Sequence, residues 1–378
     1  MAITENIEAA AASLPMMDHR GRIDRLRAQM AAAQLEALVV SNLTNVRYLC
    51  GFTGSAALLL VTHDEVYFVT DGRYKEQSAQ ELTAAGVGAE IEISAAEPDR
   101  CIADRAKTNG ITRLALEENS VTWAEHSRWN QSLFPDGELR VSESIIEKLR
   151  MVKEAAEAVR IRSACAIADD ALAMTRHLLI EGPTEIEFAM ELDATMKRLG
   201  ATDVSFETIV ASGPNGAKPH HHPKGRTIAD GDLVVIDFGA LVDGYHSDMT
   251  RTVAVGDIGD ERARMLAVVA ESQQAGVEAV AAGAEAAAVD KICRDVITDA
   301  GWGEAFLHGT GHGVGLDIHE EPRVSSRSTA ILETGHVVTV EPGVYLPELG
   351  GVRIEDTVLV TENGCDRLTR ATKDPFTF

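Results

Sequence analysis

The stretch DLVVIDFGALVDGYHSDMTRT, residues 232 to 252, constrains the fold more than any other part of the chain. It reads as one β-hairpin. Val234, Val235 and Ile236 are β-branched and lead into Asp237 and Phe238. Asp243-Gly244 supplies turn chemistry, and a second strand runs out from Tyr245 to Val255. Asp237 and Asp248 lie on the two arms. With a Val242-Asp243 loop they face each other; with an Asp243-Gly244 loop Asp248 sits opposite Gly239 and diagonal to Asp237. Either way they share one face, because side chains alternate along a strand. Two carboxylates on one face of an apolar hairpin repel each other and lose hydration. A bound cation removes both penalties; a solvent-facing pair on an edge hairpin is the plainer alternative.

A chain of 378 residues suggests two domains, and 45% hydrophobic with 25% charged residues is the composition of a soluble globular protein. A formal charge of -24 argues against nucleic acid and against an anionic membrane surface as partners. Cys50, Cys101, Cys165, Cys293 and Cys365 are odd in number, widely spaced and without a C-x-x-C pair, which fits a reducing compartment better than a disulfide framework or structural zinc. The first residues carry acids and no long apolar run, so no signal peptide or membrane span is expected, and a cytoplasmic protein is.

Residues 1–18 read as a flexible extension. Helical spacing of Ile23, Leu26, Met30 and Ala33 follows, then the strands EALVVS, SAALLLVT, EVYFVT, AEIEIS and RLALEE, with a helix near Asp99 to Lys107. This alternation predicts an α/β domain over 19–150. A long helical region from Glu143 ends at Gly182-Pro183, and a further helix spans Glu185 to Leu199. After the strand VSFETIVASG come the Pro219-His220-His221-His222-Pro223 run, the organising hairpin, and two Ala-rich helices near 261–282 and 287–300. HVVTVEPGVYLP and GVRIEDTVLVT read as two final strands with a turn at Gly350-Gly351. This second domain, 151–378, is α+β, with helices on one side of a sheet and a site on the other.

Three more residues stand out. His312 lies between glycines in TGHGVG, while Glu341 and Glu355 interrupt apolar strands. Ionised carboxylates in apolar strands are rarely unpaired. Each has a plainer reading: Glu341 as the start of a turn, Glu355 as a partner of Arg353, His312 as a loop histidine. Together, Asp237, Asp248, His312, Glu341 and Glu355 form an oxygen-rich set with one imidazole, suited to two divalent ions such as Mn²⁺, Co²⁺ or Fe²⁺. Two such ions about 3.5–4 Å apart are a known device for hydrolysis. The glycines of GTGHGVG lack the Lys-Ser/Thr of a phosphate-binding loop.

The set resembles the pita-bread metallopeptidases, the family of methionine aminopeptidase, aminopeptidase P and prolidase. The matching strings are VIDFGALVDGYHSDMTRT, GHGVGLDIHEEP, TVEPGVYLP and GVRIEDT, with ten residues between the aspartates and thirteen between the glutamates. NVRYLCGFTGS, with TDGRY after it, is similar to the accessory domain of the prolidase and aminopeptidase P branch, which methionine aminopeptidases lack. The resemblance covers about residues 19 to 365. It implies a creatinase/prolidase-like N-terminal domain and a pita-bread (creatinase/aminopeptidase) catalytic domain. It also implies two divalent ions per subunit, manganese first, with cobalt, iron(II) or zinc as alternatives.

In this resemblance Asp237 binds one ion, Asp248 and Glu355 bridge the two, and His312 and Glu341 complete the second. A metal-bridging hydroxide attacks the carbonyl before proline, His220 stabilises the tetrahedral intermediate, and Glu341 moves the proton. His319 contacts substrate, and Arg353 orients the bridging carboxylates. His221 and His222 are not required and read as solvated loop. The implied activity is an Xaa-Pro dipeptidase acting on short proline-containing peptides. Aminopeptidase P is the alternative, and a metal-free creatinase-like amidinohydrolase or a non-catalytic binding protein is a further one. A dipeptidase must recognise the substrate's carboxylate. Arg323 and Arg327 are both available, with Arg327 nearer the place where some prolidases carry such a residue. The branch also implies a homodimer, whose Phe52–Ser55 loop is the candidate to reach a neighbouring site.

Overall fold

The computed structural model describes residues 14–376, which divide into two compact units, Met16–Arg150 and a second that joins residues 14–15 to the chain from Met151 onward. Of the expected N-terminal extension, residues 1–13 lie outside the described residues.

The first unit runs α1 His19–Ala32, β1 Ala37–Val40, α2 Leu43–Cys50, β2 Ala57–Thr62, β3 Val66–Thr70, α3 Lys75–Ala84, β4 Ala89–Ile93, α4 Pro98–Thr108, β5 Arg113–Leu116, α5 Trp123–Arg128, β6 Glu138–Val141 and α6 Ile145–Met151. Its mixed sheet has the order β4-β3-β2-β1-β5-β6. Continuous apolar runs such as ALVV are buried on both faces, which is why they do not alternate. Val39, Leu60, Val69 and Leu114 pack against Ile102 and Ala106 of α4. Phe52 is buried against Phe68 and Tyr74 in the same unit, and Ser55 meets the Tyr74 hydroxyl at 2.6 Å.

The second unit begins with α7 Ala155–Thr175 and α8 Glu185–Arg198. The long helical region is interrupted where the Lys153 N–H donates to the Gly335 carbonyl and its ammonium pairs with Glu320 at 2.8 Å. A capping box of Thr184 and Glu187 starts α8. There follow β7 Asp203–Val204, β8 Ile209–Ser212, β9 Leu233–Phe238, β10 Ala240–Val242, β11 Tyr245–His246, β12 Met249–Ala254, α9 Gly259–Ala279 and α10 Ala286–Asp299. The chain ends with β13 Gly311–Gly313, β14 Glu320–Val324, β15 Val337–Val340, β16 Gly343–Leu346, β17 Gly350–Arg353, β18 Asp356–Thr361 and β19 Gly364–Arg367.

Each helix pair covers one part of the β structure. Leu172, Phe188 and Leu192 of α7 and α8 bury against Val234, Ile236 and Phe238 of β9. Met265, Val269 and Val289 of α9 and α10 bury against Val338, Val340 and Val358. Each such side chain contributes about 1.5–3 kcal/mol. Asp237 alternates with Ile236 and Phe238, so its carboxylate leaves the helix-covered face.

The organising hairpin takes the Asp243-Gly244 register: Asp237 pairs Thr250, and Val242 pairs Tyr245. Asp243 and Gly244 have φ of 47° and 77°, the left-handed pair of a tight two-residue turn. The second arm is not one strand, however. It breaks at Ser247-Asp248, so that β12-β9-β8 and β11-β10-β7 are separate sheets. The two late strands break likewise, at Glu341-Pro342 and at Ile354-Glu355. Gly350 and Gly351 also differ from expectation. They begin β17 rather than forming a turn, because the backbone of Gly213–Ala217 lies directly on them and a Cβ on Gly351 would meet the Gly216 carbonyl at 1.9 Å. Among the described residues no helix is long and apolar enough to cross a membrane.

Candidate metal centre

The strand breaks coincide with the candidate ligands. Asp248 lies between β11 and β12, Glu341 just after β15, and Glu355 between β17 and β18. A residue at a break escapes the strict alternation of a strand, so carboxylates from three segments converge. Asp237, Asp248, His312, Glu341 and Glu355 all line one cavity of about 530 Å³. Single ligand atoms of Asp248, His312 and Glu355 lie within 4.8 Å of one another.

The donors suit a cation. His312 Nδ1–H donates to the Gly313 carbonyl at 2.9 Å, which leaves the Nε2 lone pair facing the site. That Nε2 sits 3.4 Å from Asp248 Oδ2 and 3.5 Å from Glu341 Oε1. Burial pushes the His312 pKa down to about 3, which keeps the ring neutral. Asp237 Oδ1 and Glu355 Oε1 are buried without a hydrogen-bond donor. Burial, and then the neighbouring carboxylates, push Asp248 and Glu355 well above the usual carboxylate range. Burial raises Glu341 too, with Arg353 opposing and Asp237 adding to the rise. Four carboxylates face the Arg353 guanidinium, so the cluster is short of positive charge, and hard divalent ions take such ligands.

Supporting residues fix the ligands. Arg353 is buried and donates through Nη2 to Asp237 Oδ2 at 2.6 Å and through Nε to Thr250 Oγ1 at 3.0 Å. The Thr250 hydroxyl donates to Glu355 Oε2 at 2.8 Å. The other arm of Arg353 reaches the Tyr345 hydroxyl at 2.7 Å, and that hydroxyl donates to His308 Nε2, also at 2.7 Å. Burial and Arg353 hold His308 down to about 4, so it stays a neutral acceptor. His220 and His319 are exposed and line the cavity. The His319 ring stands edge-on to His312, with centroids 4.4 Å apart.

Two expectations change. Arg327 is exposed and is not in the cavity lining; Arg323, four residues after His319, is. The stretch between His319 and Glu341 makes β14 before its loop, so the earlier arginine stays beside the site. His221 is not solvated loop but buried, whereas His222 is exposed and 3.0 Å from Glu207. Sequence reasoning also missed His308, Tyr345 and Thr250. The only signal for His308 was its place four residues before His312 in HGTGH.

This fold and site are those of a metallopeptidase. Residues 159–362 match metallopeptidase family M24 and residues 22–152 match the creatinase/prolidase N-terminal domain; the chain belongs to family M24, with a pita-bread catalytic domain. It is 44% identical over 237 residues to an Xaa-Pro dipeptidase of Pyrococcus furiosus, covering 63% of this chain and 68% of that protein. An Xaa-Pro dipeptidase structure from Bacillus anthracis superposes with a TM-score of 0.90 at 38% identity, covering 95% of this chain and 99% of that one. An X-Pro aminopeptidase structure from Thermotoga maritima gives 0.85 at 33%, covering 94% and 99%. Membership of this family implies divalent metal ions.

Proposed function

We propose that this chain is an Xaa-Pro dipeptidase that uses two divalent ions, manganese first, held by Asp237, Asp248, His312, Glu341 and Glu355. The observation that carries the reading is the convergence of these five residues, with orphaned carboxylate oxygens, on one cavity lined by His220, His319 and Arg323. Bound there, the ions supply an activated water and an electrophile for the carbonyl. Asp248 and Glu355 would contribute to holding both ions.

The chain's own groups do the rest. Glu341 takes a proton from the attacking water and returns it to the proline nitrogen, which must be protonated to leave. His220 donates an N–H to the oxyanion that forms on the carbonyl. Arg353 holds Asp237 in place, and His319 contacts the substrate backbone. Arg323 receives the substrate's terminal carboxylate. Free thiols at all five cysteines fit a reducing cytoplasm, and the accessory domain of this branch supports a homodimer.

Proline release from Ala-Pro, and alanine release from Ala-Pro-Ala, measured with Mn²⁺ and with EDTA, test the reading. Turnover of the dipeptide alone, abolished by EDTA, is expected. Turnover of the tripeptide would replace the dipeptidase with an aminopeptidase P, and EDTA-resistant turnover would remove the metals. Arg323→Ala should raise KM for Ala-Pro about 10–100-fold with little change in kcat, the signature of a lost binding contact. Arg327→Ala should leave both within about twofold. The reverse pattern would return the carboxylate contact to Arg327.

A further inference from the structure

The run Pro219-His220-His221-His222 contains a buried imidazole that the proposed reaction does not use. His221 is 5% exposed, between two exposed histidines. Its Nε2–H donates to Glu185 Oε2 at 2.8 Å. Glu185 is fully buried at the first position of α8, where the helix N-terminus favours a carboxylate.

This one carboxylate gathers the whole loop that carries His220. Its Oε1 accepts the Ser212 N–H at 2.8 Å, the Ser212 hydroxyl at 2.7 Å and the Asn215 amide at 3.0 Å. Its Oε2 accepts the Lys224 N–H at 3.3 Å besides His221. Ser212 and Asn215 precede His220; His221 and Lys224 follow it. The backbone N–H groups of Glu185 and Ile186 donate to the carbonyls of Arg226 and Lys224 at 3.0 and 3.1 Å. The loop is thus closed on the first turn of α8 from both ends. Burial alone would raise the Glu185 carboxyl, but the bonds from Asn215, Ser212 and His221 outweigh it and hold it below its usual range.

By contrast, contacts on the other side of this loop are weaker: Arg353 Nη1 reaches the Pro219 carbonyl at 3.4 Å, and the exposed His222 ring lies 3.0 Å from the exposed Glu207 carboxylate. All three histidines border the cavity; His221 is buried and bonded to Glu185, while the His220 ring beside it is exposed.

We propose that Glu185 is a positioning residue: through His221 it fixes where His220 presents its ring to the developing oxyanion. This rests on the Xaa-Pro hydrolysis proposed above. Misplacing a group by about 1 Å can cost on the order of 100-fold in rate, and a loosened loop keeps part of that contact.

The test is a double-mutant cycle on the Mn²⁺-loaded protein with Ala-Pro, using Glu185→Gln, His220→Ala and both together. Glu185→Gln should lower kcat about tenfold, with KM and metal content near wild type. In the His220→Ala background it should lower kcat no further. An equal loss in both backgrounds would make Glu185 a general stabiliser and overturn the proposal, as would a wild-type kcat. His221→Leu should reproduce Glu185→Gln, and His221→Gln, which keeps an N–H donor, should recover most of the loss. These two variants carry the test if Glu185→Gln fails to fold. A second readout does not depend on turnover. In ¹⁵N-histidine-labelled, metal-free protein, the His220 ring signal, assigned by its loss in His220→Ala, should shift or broaden in Glu185→Gln and in His221→Leu. An unchanged signal would overturn the proposal. A wild type that cleaves no Xaa-Pro peptide would defeat the hydrolytic reading, while the ring signal would still decide what Glu185 does.

Discussion

Glu355→Gln is expected to be more stable than the wild type without metal and inactive with it. Glu355 is 1% exposed; Oε2 accepts from Thr250, and Oε1 accepts from nothing. Two charges at the 4.8 Å that spans the Asp248, His312 and Glu355 ligand atoms cost on the order of 3 kcal/mol at an effective dielectric of about 20. The metal-free protein avoids this only by leaving carboxyls protonated in an apolar setting. A glutamine removes one charge, keeps the bond from Thr250, and offers an N–H to a neighbouring carboxylate. Thermal unfolding in EDTA should therefore rise by about 2–4 °C for each kcal/mol relieved. Adding Mn²⁺ at about 100 times its Kd should stabilise the wild type by about 2.7 kcal/mol and leave the variant nearly unmoved. Ala-Pro cleavage should fall by more than about 100-fold. A variant less stable in EDTA than the wild type, yet equally stabilised by Mn²⁺, would show that Glu355 is not a ligand.

The same conflict explains why the candidate site was legible in the sequence. Asp237, Glu341 and Glu355 stand in runs of valine and isoleucine, where a carboxylate has no reason to be unless something pairs with it. The turn was legible too, since Asp243-Gly244 tolerates two left-handed residues in a row. The strand breaks were not. VVTVEPGVYLP is apolar on both sides of Glu341, and nothing in it records that Val337–Val340 pairs with β18 while Gly343–Leu346 pairs with β17. Register with a distant partner is a tertiary fact.

The helices followed the same rule. The long, periodic α9 and α10 were placed within three residues of their observed ends. The short α2 was missed because it is only eight residues long: Asn45, Val46, Tyr48, Leu49 and Cys50 are buried, and its outer face has just Thr44 and Arg47 beside an exposed Leu43, too little to give a period. Its only marks are the Asn42 cap and Gly51 in the left-handed conformation. His221 was misjudged for a related reason. A histidine beside two solvated ones looks solvated, and its partner Glu185 lies 36 residues away.

Gly239→Ala is expected to damage fold and site together. Gly239 joins β9 to β10 at the point where the hairpin divides between two sheets. A Cβ there would meet the Ser247 carbonyl oxygen at 2.0 Å and Ser205 Cβ at 2.8 Å. The nearer obstacle is backbone and cannot rotate away. It is also held: Ser247 N–H donates to the Ala240 carbonyl at 3.0 Å, Ala240 N–H to the Ser247 hydroxyl at 2.9 Å, and Ser205 N–H to the Gly239 carbonyl at 2.8 Å. To admit a methyl group the arms must part, and Ser247 moves Asp248 with it. The loss should be on the order of 3 kcal/mol or more, at the upper end for overpacking. Any protein that still folds should respond weakly to Mn²⁺. Gly72→Ala is the control, because nothing lies within 4 Å of a Cβ at that position; its urea midpoint should stay at or slightly above wild type. A Gly239→Ala protein with a wild-type midpoint and a full Mn²⁺ response would mean that the hairpin has room there, and that the position of Asp248 is set by the sheets it joins rather than by the contact across the break.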